Sequence, residues 1–104
     1  MSKYEKQIET ATANLAEAVF HETRLEDGRI MEKLAAIERI MAAGDNPLTG
    51  KAHSFSSAEA VVNTDPAYQD YLAEQREAVR ARILARGAYE AALVTAHLAA
   101  KEMA

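Results

Sequence analysis

The stretch around residue 50 contains the side chains that most resemble a nucleotide-binding motif. Residues 44–52 read GDNPLTGKA. A phosphate-binding loop of the pattern G-x-x-x-x-G-K-[ST] has four residues between its glycines and a final hydroxyl that ligates magnesium. Here five residues separate Gly44 from Gly50, and Ala52 follows the lysine. Because the sequence departs from the motif at these two points, we predict that residues 44–52 form an exposed connecting loop. The alternative is that the segment binds an anion just before the start of a helix. The side chains for that alternative are Lys51, His53, Ser54 and Ser56.

Three histidines and the lack of cysteine limit the metal sites and nucleophiles that the chain can form. His21 lies four residues after Glu17 and His97 lies seven after Glu90, but there is no Glu-x-x-His pair of the di-iron bundle type. No nucleophile elbow and no Ser–His–Asp order with supporting turns is evident. We therefore predict no catalytic residue, no cofactor and no metal bound within one chain, so that the protein is not an enzyme. A ligand set completed across two copies stays open.

Arginines in the second half of the chain suggest either nucleic-acid binding or ion pairing within the fold. The candidate phosphate contacts are Arg76, Arg80, Arg82 and Arg86, together with Lys51. The acidic residues available for pairing are Glu22, Glu26, Asp27 and Glu32. A formal net charge of −4 and the lack of an aromatic stacking platform favour pairing over nucleic-acid binding.

The composition predicts one small domain over residues 1–104 with no membrane segment. Of the 104 residues 49% are hydrophobic, but alanine, which covers little area, accounts for much of that share. No run approaches the ~18 apolar residues of a spanning helix, and the first twelve residues lack the apolar core of a secretory signal. The lack of cysteine is compatible with a reducing cytoplasm, and we expect a cytoplasmic protein that does not contact membranes.

A long second helix carries the arginines. Asp65 followed by Pro66 is a helix start, and no later proline interrupts the chain, which predicts a helix over about 66–103. Apolar residues recur along it at a spacing of eleven, which predicts one stripe on a nearly straight helix. The residues of that stripe are Leu72, Ile83 and Val94.

A first helix of similar length is predicted over about 3–43. Ser2 and Glu5 form a capping box at its start, and Gly44 ends it. Asp27-Gly28 is a turn signal, yet the apolar spacing of eleven continues across it, so we expect one helix with a kink or soft spot at the glycine. The residues that keep this spacing are Ile8, Val19, Ile30 and Met41.

Residues 44–64 form the predicted connection between the two helices. Ser56 and Glu59 form a second capping box, which predicts a short helix over 58–62. Two helices of equal length joined by one loop predict an antiparallel hairpin. In the simplest register, with the helix ends level, Arg82 lies near Glu26.

The fold expected from these elements is all-α: an antiparallel helical hairpin with a short helix in its loop. Two helices cannot cover all their apolar side chains, so we expect self-association, as a dimer, to complete a bundle. The predicted core and interface residues are Leu15, Val19, Ile30, Leu34, Ile37, Leu72, Val79, Ile83 and Leu93. The function expected is that of a non-enzymatic interaction protein docking a protein partner. The alternative is an accessory nucleic-acid-binding protein.

Two segments carry a resemblance to known proteins: NPLTGK at 46–51 and TDPAY at 64–68. With the helix that follows, residues 46–98 resemble small helical proteins encoded in bacteriophages and prophages, in which such segments separate two long helices. Some similar hairpins are encoded beside phage recombination or single-strand-binding genes. The resemblance implies an accessory role and transfers no functional residue.

Overall fold

The computed structural model describes residues 2–103, and these are almost entirely helical. The elements are α1 (Lys3–Ala43), α2 (Phe55–Ala60), a 3-10 turn (Val62–Thr64) and α3 (Pro66–Met103). Among the described residues there is no strand, although an isolated antiparallel bridge joins Asp45 and Ala52. The all-α class and the bounds of both long helices are confirmed.

Both long helices begin at the capping residues that the sequence indicates. The Glu5 N–H donates to Ser2 Oγ at 3.2 Å, and the Tyr68 N–H donates to Asp65 Oδ2 at 2.9 Å. Each bond satisfies one of the donors that a helix leaves free in its first turn. Helix α1 continues without interruption through Gly28.

Contacts divide the chain into two units. The central unit spans Leu25–Gln75, and the terminal unit combines the chain up to Arg24 with the chain from Arg76 onward. Both contain a segment of α1 and a segment of α3.

The central unit has a compact apolar core where α2 and the 3-10 turn pack against the long helices. Ile37 and Tyr68 are the largest side chains within it, with 1% and 2% of their surface exposed. Ile40 and Leu72 pack against its edge. The helix segments run antiparallel, since Arg39 contacts Asp65 while Leu25, earlier in α1, contacts Tyr71, later in α3. The core residues are Ala36, Ile37, Ala58, Val62 and Tyr68.

The terminal unit is an antiparallel pair of helix segments with a narrow seam of mostly small residues. Apart from the half-buried His21 and Val79, the least exposed positions recur in steps of three and four, a seven-residue repeat typical of coiled coils. They are Tyr4, Ile8, Ala11, Leu15, Ala18 and Glu22 on α1, and Ala78, Arg82, Ala85, Tyr89, Ala92, Ala96 and Ala99 on α3. We call this set the inner seam. Alanine at so many of these positions lets two helices approach closely while burying little area per residue.

The connection differs in detail from the sequence expectation. Helix α2 begins at Phe55, and its capping residue is Ser54, whose Oγ accepts the Ser57 N–H at 3.1 Å. The predicted start at residue 58, capped by Ser56, is therefore wrong by one helical turn. Ser54 precedes the short helix whereas Ser56 lies within it, and the sequence alone did not show which serine is the cap.

The predicted register of the two long helices is also wrong by about one turn. Arg82 binds the carboxylate of Glu22, four residues before the expected Glu26. In the central unit, Asp65 at the start of α3 is bonded to Arg39 rather than to the last residues of α1. The helix ends are therefore not level, because the ion pair holds the start of α3 about one turn back along α1.

Candidate interaction surface

Three large apolar side chains of α3 in the terminal unit lie on faces directed away from the inner seam. At 100° per residue, Val94 and Leu98 project roughly 150–170° away from the mean direction of the inner seam, and Leu84 projects roughly 110° away from it. All three are exposed, Leu84 over 62% of its surface. Gly87 and Ala91 lie between them and are exposed as well. We call this set the outer strip; it comprises Arg80, Leu84, Gly87, Ala91, Val94 and Leu98. A row of exposed leucine and valine on one helix face is typical of an interaction surface.

The nine predicted core and interface residues fall into three groups. Ile37 is buried in the central unit. Half-buried positions are held by Leu15, Leu72 and Val79. The exposed group consists of Val19, Ile30, Leu34, Ile83 and Leu93, with Ile30 exposed over 71% of its surface. The apolar residues spaced by eleven are thus mostly exposed to solvent, and the contacts within each unit are made mainly by other residues.

Of the four arginines assigned to ion pairing, one has an acidic partner among residues 2–103. Arg82 is half-buried in the inner seam and binds Glu22. Arg76, Arg80 and Arg86 are exposed, and no ion pair joins them to another described residue. These three arginines are available to a second molecule.

A buried carboxylate joins α1 to α3 in the central unit. Asp65, with 8% of its surface exposed, accepts hydrogen bonds from Arg39 Nε at 3.2 Å and from an Arg39 terminal nitrogen at 2.8 Å. It also accepts the Tyr68 N–H. The Arg39 hydrogen bond, assisted by the backbone N–H groups of Tyr68 and Ala67, holds the pKa of Asp65 below its usual value although burial opposes the shift. The sequence indicated the cap but not the arginine, which lies 26 residues earlier.

A close approach between α1 and α3 explains the glycine in the middle of α1. The Tyr71 hydroxyl donates to the backbone carbonyl of Leu25. A Cβ placed on Gly28 would lie 2.9 Å from that hydroxyl oxygen, closer than such atoms pack. Burial, together with the charges of Glu32 and Glu74, raises the pKa of Tyr71. Gly28 therefore makes room for the Tyr71 side chain and does not form a turn.

The loop that resembles a phosphate-binding sequence uses its backbone donors internally. The N–H groups of Thr49 and Gly50 donate to the Asn46 carbonyl, at 3.2 and 2.8 Å. Those of Leu48 and Lys51 donate to side-chain oxygens of Asn46 and Thr49. Gly50 has a φ of +69°, which favours glycine in this tight turn. A phosphate loop needs its amides directed at the ligand, so this geometry supports the prediction of a connecting loop.

An open cavity of about 630 Å³ lies beside this loop in the central unit. His53 Nδ1 and Ser57 Oγ lie 2.9 Å apart at its wall, and Ser57 Oγ lies 3.1 Å from the Ser54 carbonyl. A hydroxyl has one proton. When that proton goes to the carbonyl, the imidazole N–H donates to the serine oxygen. Ser57 is then held as a cap element and not activated as a nucleophile, which would require the opposite direction of donation.

No group of three or more potential ligands from His, Asp and Glu comes together among residues 2–103. None of the described helices is both long and apolar enough to cross a membrane. Comparison of the chain with protein-family models, with curated proteins and with solved structures finds no match.

Proposed function

We propose that the chain is a non-enzymatic helical interaction protein that associates with itself and docks a protein partner. The observation that supports this proposal is the distribution of side-chain size around α3 in the terminal unit. Alanine predominates on the inner seam, while Leu84, Val94 and Leu98 are directed to solvent. A helix that served only the pairing within one chain would place its large apolar residues inward.

The test of this proposal is the mass in solution. Light scattering on a dilution series of the full chain is expected to give a mass that rises with concentration toward twice 11.4 kDa. A mass that stays at 11.4 kDa up to millimolar concentration contradicts the proposal, because exposed apolar faces of this kind then have no affinity for one another.

A second candidate is an accessory nucleic-acid-binding protein. It is favoured by three exposed arginines that form no ion pair with another described residue, Arg76, Arg80 and Arg86, and by the exposed side chain of Lys51. The net charge of −4 opposes it. Titration of labelled single- and double-stranded DNA at about 50 and 200 mM salt distinguishes the two, because affinity carried by phosphates falls by a slope of about −0.7 to −0.9 per contact. Tight, salt-sensitive binding that is lost when the arginines are replaced in pairs favours the second candidate.

Residues 46–98 resemble phage-encoded helical proteins, and we propose on that resemblance alone that the interaction serves an accessory role in a phage or prophage. The partner protein in such a setting is encoded nearby. Co-expression of the chain with the products of neighbouring genes, followed by co-purification, tests this part of the proposal separately from self-association.

A further inference from the structure

We propose that the outer strip is the site at which a second copy of this chain docks, antiparallel, with a two-fold axis near residue 89. The inference rests on the self-association proposed above and adds the surface and the geometry. It concerns α3 within the terminal unit, where the strip is exposed over its full length.

The spacing of the outer strip makes it complementary to its own reverse. Its members follow one another in alternating steps of four and three residues, the pattern of a coiled-coil seam. Reversal about residue 89 maps every member onto another member. The resulting layers place Arg80 level with Leu98, Leu84 with Val94, and Gly87 with Ala91 of the second copy. This spacing is common to coiled-coil seams and permits antiparallel docking, while the choice of a second copy rests on the side chains that come level.

The centre of the strip is shaped for close contact between two helices. Gly87 and Ala91 are four residues apart and meet at the axis, where neither has a side chain large enough to separate the backbones. A Cβ on Gly87 would have no atom within 4 Å, so the fold of one chain does not require glycine there. Glycine is disfavoured inside a helix, and close packing against a second molecule accounts for its presence. Leu84 and Val94 then fill the wider space on either side.

Charged residues next to the ends of the strip come level with residues of opposite charge in the same arrangement. Arg76 comes level with Glu102 of the second copy, and Glu77 comes level with its Lys101. Each end therefore contains three positive side chains, Arg76, Arg80 and Lys101, and two negative ones, Glu77 and Glu102. Arg76, which has no acidic partner within the described chain, thus has one in the dimer.

A parallel pairing of the same strip is less favourable. It would bring each residue level with its own copy, so that Arg76 faces Arg76 and Arg80 faces Arg80. Like charges directly opposed destabilise an interface. Reversal of one helix removes both repulsions, and the proposal therefore commits to the antiparallel form.

The first experiment compares two glutamate substitutions by sedimentation equilibrium, with helix content checked by circular dichroism. Leu84→Glu places a carboxylate in the outer strip, and Phe20→Glu is the matched control on α1. The two side chains have nearly equal exposure, 62% and 64%. Leu84→Glu is expected to raise the dissociation constant by about a hundredfold, because each dimer then buries two unpaired charges. Phe20→Glu is expected to leave it within about threefold of wild type.

The second experiment reverses the charges at the ends. Arg76→Glu and Glu102→Arg are each expected to weaken association by about three- to tenfold, and the double variant to recover most of the loss. A variant that changes helix content is replaced by its neutral counterpart, Arg76→Gln or Glu102→Gln, which keeps the comparison valid.

The outcomes separate the two proposals. A wild-type protein that is monomeric throughout overturns the self-association and this inference together. A wild-type dimer that tolerates Leu84→Glu as well as Phe20→Glu overturns the inference alone, since another surface must then be used. Equal and additive losses from the two charge reversals also overturn the antiparallel register. Selective loss with Leu84→Glu and recovery in the double reversal support it.

Discussion

Replacement of Asp65 should reveal how strongly one carboxylate fixes the start of α3 against α1. Asp65→Ala removes the helix cap at Tyr68, worth about 1 kcal/mol. It also removes the carboxylate hydrogen bonds, worth about 1.5–3 kcal/mol for a charged group. We take the lower end because the Arg39 side chain is 44% exposed and solvent screens it. The expected total is about 2–3 kcal/mol lost from the free energy of unfolding.

Asp65→Asn isolates the charge, because asparagine is as good a cap as aspartate. It should lose about 1 kcal/mol at neutral pH. The pKa of Asp65 is lowered in the folded chain, so its charge stabilises the fold above the unfolded value of about 4, and the contribution disappears as the pH falls through the folded pKa. The difference between wild type and Asp65→Asn should therefore narrow below pH 4.

The assay is urea unfolding followed by circular dichroism at one fixed protein concentration, since association contributes to apparent stability. Asp70→Asn serves as control, because Asp70 is an exposed aspartate of the same helix and should change the free energy by less than about 0.5 kcal/mol. If Asp65→Ala stays as close to wild type as this control, the ion pair and cap do not hold the helices as described. If the difference in free energy of unfolding between wild type and Asp65→Asn is unchanged at about pH 2.5–3, the electrostatic part of the reasoning is refuted.

Other perturbations test separate parts of the fold. Gly28→Ala should lower the melting temperature, because its Cβ would lie 2.9 Å from the Tyr71 hydroxyl oxygen. Gly87→Ala has open space around the new Cβ and should raise the free energy of unfolding of dilute protein by about 0.5–1 kcal/mol. If Gly28→Ala is the more stable of the two variants, the close approach to Tyr71 is contradicted. The raised pKa of Tyr71 means that the unfolded chain ionises first, so stability should fall as the pH rises above about 10, and Tyr71→Phe should reduce that fall in a pH series of thermal melts. A double-mutant cycle on Arg82 and Glu22 should give a coupling of about 0.2–1 kcal/mol, and a coupling near zero would show that the pair does not form.

The boundaries of the two long helices were predictable from the sequence because local chemistry decides them. Ser2 and Asp65 cap the two long helices as expected, and Pro66 opens α3. Each signal depends on a few neighbouring residues, so no knowledge of tertiary contacts was needed.

The seam between the helices was not predictable in the same way, because the search for periodicity gave weight to large apolar residues. Those residues repeat every eleven positions and are mostly exposed. Contacts in the terminal unit instead follow alanines such as Ala78, Ala85 and Ala92, spaced by seven. Alanine is so frequent in this chain that its spacing carries little signal, yet close packing of two helices selects it. The best sequence clue was the seven-residue recurrence of Tyr4, Ala11, Ala18 and Leu25.

Ion pairs and close contacts between distant residues could not be predicted from the sequence for a different reason. Arg39 and Asp65 are 26 residues apart, and their contact depends on how the connection folds back. Asp27 and Gly28 form a dipeptide typical of turns. In the structure, the glycine is instead explained by the close approach of Tyr71, which is 43 residues later in the sequence. The correct register of Arg82 likewise depends on where the start of α3 is held, which no residue of α3 alone indicates.

The measurement that tests the central claim most directly is a distance between two copies of the chain. The sequence contains no cysteine, so Ala81→Cys, at an exposed position of α3, carries a single spin label. Antiparallel docking of the outer strip about residue 89 predicts a label separation of about 24–28 Å, from the helix rise and the spacing of packed helices. A separation near 10 Å, as in a parallel pair, or no interaction between labels at concentrations where the mass is that of a dimer, would contradict the account.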